Sequence, residues 1–534
     1  MKSDIAVMQD WATFHPEASP TAFYYLRLCN RALKIILRSD LRKDFGAAER
    51  GIQLACILTA YFEDVISETG LFRIFTEQHG ELYGKALPFY EVTEEYYPDE
   101  INLYDIYFLI WHSLSIWRKE DDTGMVDPFF RRGNRMTAIR ELYDLYDSEF
   151  ENAPQNENMR QFLRLSPRAS VDEIRKRLDF LTANCYLGFI EHACFVGSLV
   201  ERTEKALGKA EANEEGFMEI LQRQEMLFYD SRVNYMFNYY FSLLAQRASE
   251  QLAHLAGVKH PLYPLLKDIS IRKTGSFRFL KETETEFIVE HLPSLTRINL
   301  SKEYLTLESE QIIPDRSCIT MGIVKWGDVW QQMGSAVMFD YSQEKEMDLP
   351  GASAFDDPEK KKSVMKEMGE DFLQAVHGKR IAFLKGAEEL CDLYGRFLDI
   401  HTRTAKEKKK AEQARLELLA EINCITKKKD EFITFFINPE TGIEYYFGDI
   451  ITVIADPDNP FYIPGKTCEL ESLFFSSDIS VEFINYLIEN SLVTFTASET
   501  SGMEVSVMLD NRDFLLRYYK QHNYRPEPEI TLKR

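Results

Sequence analysis

The chain contains no Cys-x-x-Cys pair, no His-Glu-x-x-His run and no Glu-x-x-His pair. This excludes the usual local frameworks of structural zinc sites, zinc proteases and carboxylate-bridged metal bundles. It also lacks a Gly-x-Ser-x-Gly elbow, a Gly-x-x-x-x-Gly-Lys loop and a Gly-x-Gly-x-x-Gly fingerprint, so no nucleophile or nucleotide cradle is written locally. No uninterrupted apolar stretch approaches the ~18 residues a bilayer requires. The opening residues, MKSDIAVMQDWATFHPEASP, show neither an apolar core nor a small-residue cleavage site, so no secretory signal is expected. Eight cysteines are scattered singly, which reads as reduced core thiols rather than a disulfide framework. The expected compartment is the cytoplasm, where the sequon at Asn299 carries no meaning.

Positive charge is scarce. Lys and Arg number 63 against 86 Asp and Glu, a formal net charge of -23. An average surface of that sign repels phosphates and anionic membranes, which argues against nucleic-acid and membrane partners. What is present is ordinary for a soluble globular protein, with 45% hydrophobic and 28% charged residues. The aromatic share, 13% with 37 Phe and 27 Tyr, points to well-filled cores. A chain of 534 residues exceeds one core and suggests about two to four domains.

The spacing predicts a nearly all-helical domain over residues 1–262. Ser19 and Pro20 suit an N-cap and first helical position before TAFYYLRLCNRALKIILR. A second helix is expected from about Asp44 to Thr69, stopped by Gly70. DEINLYDIYFLIWHSLSIW (residues 99–117) is apolar on nearly all sides and belongs at the bundle centre. Ser170-Val-Asp-Glu173 is a capping box. Residues 214–255 fit one long helix or two in succession.

The texture then changes to period two. Phe277 and Phe279, then Phe287, Val289 and His291, then Ile298 and Leu300 each share a strand face, and Gly327-Asp328 fits a two-residue hairpin turn. Residues 263–345 are therefore expected to form a small antiparallel β-barrel or curled sheet. A polar linker (346–365) and an α+β domain (366–534) follow. In the latter, KRIAFL, EFITFFI, IEYYF, LVTFTA and EVSVML read as strands, and AEELCDLYGRFLDIH and VEFINYLIEN as helices. The fold class is multidomain α+β.

The candidate site residues are sparse. In QLACILTAYFEDVISETG an advance of about 100° per residue turns Glu63 and Asp64 apart, while Asp64 and Glu68 share a face at i,i+4. That spacing suits a metal or an Arg partner, or simply a solvated, salt-bridged face. Asp105 and His112 lie two turns apart in the apolar segment, and burial would oblige them to find partners. Asp64, Glu68, Asp105 and His112 are thus the candidates for carboxylate and histidine chemistry, weighed against structural hydrogen bonding. Cys185, His192 and Cys194 do not converge on a helix, and Asp456-Pro-Asp-Asn-Pro460 reads as a turn rather than a calcium loop. No cofactor and no metal are expected. Trp326 and Trp330 mark a binding face if exposed and a filled core if not. Lysines at 360–362, 408–410 and 427–429 offer a polyanion surface, although the glutamates between 406 and 421 favour a solvated helix.

Three stretches, AERGIQLACILTAYFEDVISETG, TGSFRFLKETETEFIVEHLP with ITMGIVKWGDVW, and FINPETGIEYYF, resemble an uncharacterised bacterial family classed only as a domain of unknown function. The resemblance implies a bacterial cytoplasmic protein and no activity, cofactor or site. The expected function is a non-catalytic protein–protein interaction or adaptor role with another protein as partner. The alternatives are an enzyme with a carboxylate/His site in the bundle, and polyanion binding through the lysines of 408–429.

Overall fold

The computed structural model describes residues 5–91, 96–208, 214–305, 312, 316–340, 358–401, 404, 408–413, 415–417, 420, 431–439, 442–498 and 502–524. They divide into two units, Met1–Phe355 and Asp356–Arg534. The architecture is mixed α+β with a helical N-terminal half.

The first unit opens with α1 (Met8–Ala12), α2 (Ala22–Arg38), α3 (Arg42–Phe45), α4 (Ala48–Ile66), α5 (Leu71–Tyr83) and α6 (Leu103–Glu120). It continues through α7 (Arg135–Asp147), α8 (Glu157–Leu163), α9 (Val171–Ala183), α10 (Phe189–Gly208), α11 (Glu214–Asn238), α12 (Ala248–Ala256) and α13 (Tyr263–Asp268). Two helices form the centre. Every residue from Leu54 to Asp64 in α4 and from Asp105 to Trp117 in α6 is buried. Each large apolar side chain sunk there contributes about 1.5–3 kcal/mol. The capping box of α9 forms as read, with Ser170 Oγ accepting from Glu173 N at 3.2 Å and Glu173 Oε2 accepting from Ser170 N at 2.8 Å.

The expected helix from Asp44 to Thr69 is corrected at both ends. Its start belongs to the separate α3, and α4 stops at Ile66, ahead of Glu68 in the left-handed region (φ 52°). Gly70, also left-handed (φ 77°), leads into α5 rather than closing α4. Residues 214–255 resolve into two helices, α11 and α12.

The five strands that follow are β1 (Lys273–Glu282), β2 (Glu286–His291), β3 (Arg297–Ser301), β4 (Ser317–Trp326) and β5 (Val329–Asp340). Their spatial order is β1-β2-β3-β5-β4, with β4 returning to β1. Phe277, Phe279, Phe287, Val289, Ile298 and Leu300 all point into the core, as the alternation requires. Gly327 (φ 62°) supplies the left-handed residue of the β4–β5 turn. The expectation of an antiparallel barrel needs correction at one seam. β3 and β5 run parallel and meet at a single pair, Leu300 with Trp330, so the sheet is curled but not laddered all the way round.

In the second unit α14 (Pro358–Ala375) begins inside the stretch expected to be linker. It is followed by β6 (Ile381–Lys385), α15 (Gly386–His401), β7 (Phe432–Asn438) and β8 (Gly442–Phe447), and the three strands form one antiparallel sheet in the order β6-β7-β8. Phe372 of α14, Leu390 and Leu393 of α15, and Ile433, Phe435 and Ile437 of β7 share one core. The chain ends with β9 (Cys468–Glu469), α16 (Leu470–Phe475), α17 (Val481–Glu489), β10 (Phe495–Thr496), α18 (Val505–Asp510) and α19 (Arg512–Tyr519). EVSVML, expected as a strand, is the start of α18. A short apolar run does not distinguish a strand from a buried helical turn, and here Met508 is the residue that faces inward.

Candidate functional site

The first turns of α4 are partly open to solvent, but the solvated face expected at Asp64 is absent, because the helix is buried from Leu54 to Asp64. Glu63 is 3% exposed and Asp64 5%. As the helical advance requires, they diverge and acquire different partners.

Asp64 holds the next helix. Its Oδ1 accepts from Leu71 N at 3.1 Å and from the Thr69 hydroxyl, and its Oδ2 accepts from Phe72 N at 2.8 Å and Tyr186 Oη at 2.7 Å. These amides open α5, where a carboxylate meets both unsatisfied donors and the positive end of the helix dipole. Glu68 is not on the same face, because α4 has already ended. It lies at the surface, 2.8 Å from Arg160 Nη2.

Asp105 sits in the first turn of α6 and is 1% exposed. Tyr61 Oη of α4 donates to its Oδ2 at 2.7 Å, Tyr96 Oη to its Oδ1 at 3.1 Å, and Asn102 Nδ2 to its Oδ2 at 3.3 Å. Burial outweighs these three donors and pushes the carboxyl up to about 7. His112, 1% exposed, hydrogen-bonds through Nε2 to the Leu187 carbonyl at 2.9 Å, and burial pushes it down to about 4. A neutral ring donating Nε2–H to that carbonyl fits both facts.

The turn at Tyr186 and Leu187 thus touches two of the four candidates, Asp64 and His112, while Asp105 answers to Tyr61 and Tyr96 and Glu68 to Arg160. The four do not share one set of partners. Among the described residues no group of three or more His, Cys, Asp or Glu is arranged to hold a metal ion.

Two buried acid sites escaped the sequence reading. Glu63 Oε2 lies 2.5 Å from His15 Nε2, and its Oε1 accepts from Asn156 Nδ2 at 3.0 Å. Burial pushes His15 down, but the bond to Glu63, its charge and the Trp11 carbonyl outweigh that and hold the ring above its ordinary value. Glu191 of α10 accepts from Tyr239 Oη at 2.7 Å and from Ser242 N, and burial pushes it up to about 7. His15 and Glu63 stand 48 residues apart, and no local spacing announces such a pair.

Of the remaining candidates, Trp326 is 8% exposed and Trp330 is half-buried against the sheet core, so the two indoles do not form an exposed face. Lys408, Lys409 and Lys410 are exposed on a helical stretch, and Lys427 to Lys429 lie outside the described residues. Asp456 closes a turn, with Oδ1 accepting from Asp458 N at 2.9 Å.

A groove of about 740 Å³ lies between residues 5–7, α1 and the start of α4. Ile5, Val7, Phe14 and Ile52 give it apolar walls, and Asp10 and Glu49 give it two carboxylates.

Residues 7–254 match a family described as a protein of unknown function (DUF3843). The match contains α1 through most of α12, and with them the groove apart from Ile5, and Asp64, Glu68, Asp105 and His112. Of the three stretches that carry the resemblance, only AERGIQLACILTAYFEDVISETG falls inside it. Neither the comparison with curated proteins nor that with solved structures returns a match. No helix among the described residues is long and apolar enough to cross a membrane.

Proposed function

We propose that the protein is a non-catalytic adaptor of the bacterial cytoplasm that binds another protein through its helical region, residues 1–262. The groove beside α1 and α4 carries this reading. Its volume is that of a ligand site, and it opens to solvent beside Ile5 and Val7, which are 55% and 50% exposed. The polar side chains buried in α4 and α6 are engaged in holding helices, which suits a scaffold better than a reaction centre.

The test is recovery of the tagged full-length protein from its own cells, with and without nuclease, beside an Ala48→Trp variant that fills the groove from an exposed position. The expected result is a near-stoichiometric, nuclease-insensitive protein partner that the variant loses. Absence of any enriched partner would overturn the reading.

One observation favours a second reading, an enzyme with its site in the bundle. Asp105, pushed up to about 7 beside Tyr61 and Tyr96, is poised in the range of a general acid or base. Under this reading the native protein carries a bound metal or small molecule, detectable by mass spectrometry, that Asp105→Asn loses. Its absence from native wild-type protein would sink the alternative.

A further inference from the structure

We propose that Cys29 of α2 and Cys56 of α4 form a redox modification site, at which hydrogen peroxide joins the two thiols in a disulfide between the helices. The inference is independent of the adaptor reading.

Proximity carries it. The two Sγ atoms lie 3.5 Å apart, although the residues stand 27 positions apart in the chain. Both are free thiols, 0% exposed at Cys29 and 1% at Cys56. A disulfide has an S–S separation of about 2.05 Å, which leaves the sulfurs about 1.5 Å to close. That movement is shared between two side chains, each turning about its own Cα–Cβ bond. Two packed helices thus hold a dithiol ready to be oxidised within one chain.

The reaction balances with peroxide as the one oxidant. Cys56 is a wall residue of the groove beside α1, and Cys29 is not, which makes Cys56 the first sulfur to react. Its thiolate attacks one peroxide oxygen, the O–O bond breaks, hydroxide leaves and the sulfur becomes a sulfenic acid. The Cys29 sulfur then attacks that sulfenic sulfur and releases the oxygen as water. Two thiols lose two electrons and two protons in all, and one peroxide becomes two waters.

The surroundings set the pace. The bond to Cys29 and burial hold the Cys56 thiol well above its ordinary value, and the charge of Asp10 on α1 acts in the same sense. Tyr146 of α7, the other titratable group beside the pair, is itself pushed up by burial and stays protonated. Little thiolate is therefore present near neutrality, and the pair is oxidised slowly, by sustained peroxide rather than a brief pulse.

Full-length protein, reduced and freed of reductant, is held folded in about 1 mM hydrogen peroxide, then unfolded in N-ethylmaleimide and weighed intact. The product should take up two fewer maleimides than untreated protein. Trypsin places Cys29 in residues 28–31 and Cys56 in residues 51–73, so the disulfide is read as those two peptides joined until a phosphine separates them. Its rate of formation should rise at least tenfold from about pH 7 to about pH 9. Cys29→Ala should lose the link and let Cys56 proceed to the sulfinic acid, with a gain of two oxygens. A thermal melt establishes that the variant is folded, and the wild-type peptides decide the matter if it is not.

Unchanged maleimide uptake at both cysteines overturns the proposal. So does a wild-type Cys56 that reaches the sulfinic acid while Cys29 stays free, or a link that joins two chains on a non-reducing gel. Pairing of either residue with another cysteine overturns it equally.

Discussion

Arg272 reaches Asp230 of α11 at 2.5 Å because two glycines stand aside for it. Its guanidinium is 2% exposed and also donates through Nε to the Met333 carbonyl at 2.7 Å, so one side chain joins the helical bundle to the curled sheet. A Cβ on Gly322 would stand 2.1 Å from Arg272 Cζ, and one on Gly334 2.4 Å from Asp230 Oδ1. Gly322→Ala is expected to cost about 3 kcal/mol through overpacking. Arg272→Ala should cost about as much or more, because it abandons Asp230 and the Met333 carbonyl. Differential scanning calorimetry checks both, and an unchanged transition in Gly322→Ala would show that the arginine has another route.

Asp64 caps α5 from the preceding helix. Removing it strands the Leu71 and Phe72 amides and the Tyr186 hydroxyl in a buried setting, each at about 1–3 kcal/mol. Asp64→Ala is therefore expected to lose several kcal/mol by urea denaturation and to speed amide exchange selectively at the start of α5. Uniform exchange along α4 and α5 would count against a capping role.

Asp105 holds a proton in the folded chain up to about pH 7, whereas the unfolded carboxyl ionises near its ordinary value of 3.8. The folded state thus binds the extra proton between these values, and this contribution to stability is lost as pH rises through the window. Asp105→Asn removes it. The stability of the variant relative to wild type should climb from about pH 4 to about pH 8 by up to about 4 kcal/mol. His79 and His112, both pushed down to about 4, tilt the two proteins equally in the opposite sense and drop out of the difference. Parallel melting curves across that range would place Asp105 outside the protonation balance.

His15 carries the opposite dependence. Its folded value lies above the ordinary 6.5, so the pair with Glu63 stabilises fully below that point and less as pH rises through the folded value. His15→Gln should cost more at about pH 5.5 than at about pH 9. In Glu63→Gln the ring should titrate below 6.5, where burial alone would push it, as followed by NMR of histidine-labelled protein.

Much of the fold was legible because it is written in local patterns. The capping box at Ser170, the inward alternation of Phe277 through Leu300 and the all-apolar α6 each depend on residues a few positions apart, and each appears where it was read. The site was less legible because its partners are remote. Nothing near Asp64 foretells Tyr186, and nothing near Glu63 foretells His15 or Asn156. The i,i+4 pairing of Asp64 with Glu68 failed for a different reason. It assumed four more helical residues, whereas the left-handed Glu68 shows that the chain had already turned. EVSVML failed because six residues hold too little periodicity to separate strand from helix.

The order of the curled sheet bears on its birth at the ribosome. β1 pairs with β2 at once, but its other edge waits for β4, with Phe277 opposite Ile319 and Arg278 opposite Cys318. β3 in turn gains its second neighbour only when β5 emerges, and then at the single pair of Leu300 and Trp330. A nascent chain that has released only its first three strands therefore shows two bare edges, each a template for another copy. The window closes when residue 340 clears the exit tunnel. Slow translation between β3 and β4 should favour misassembly, and slow translation after β5 should not.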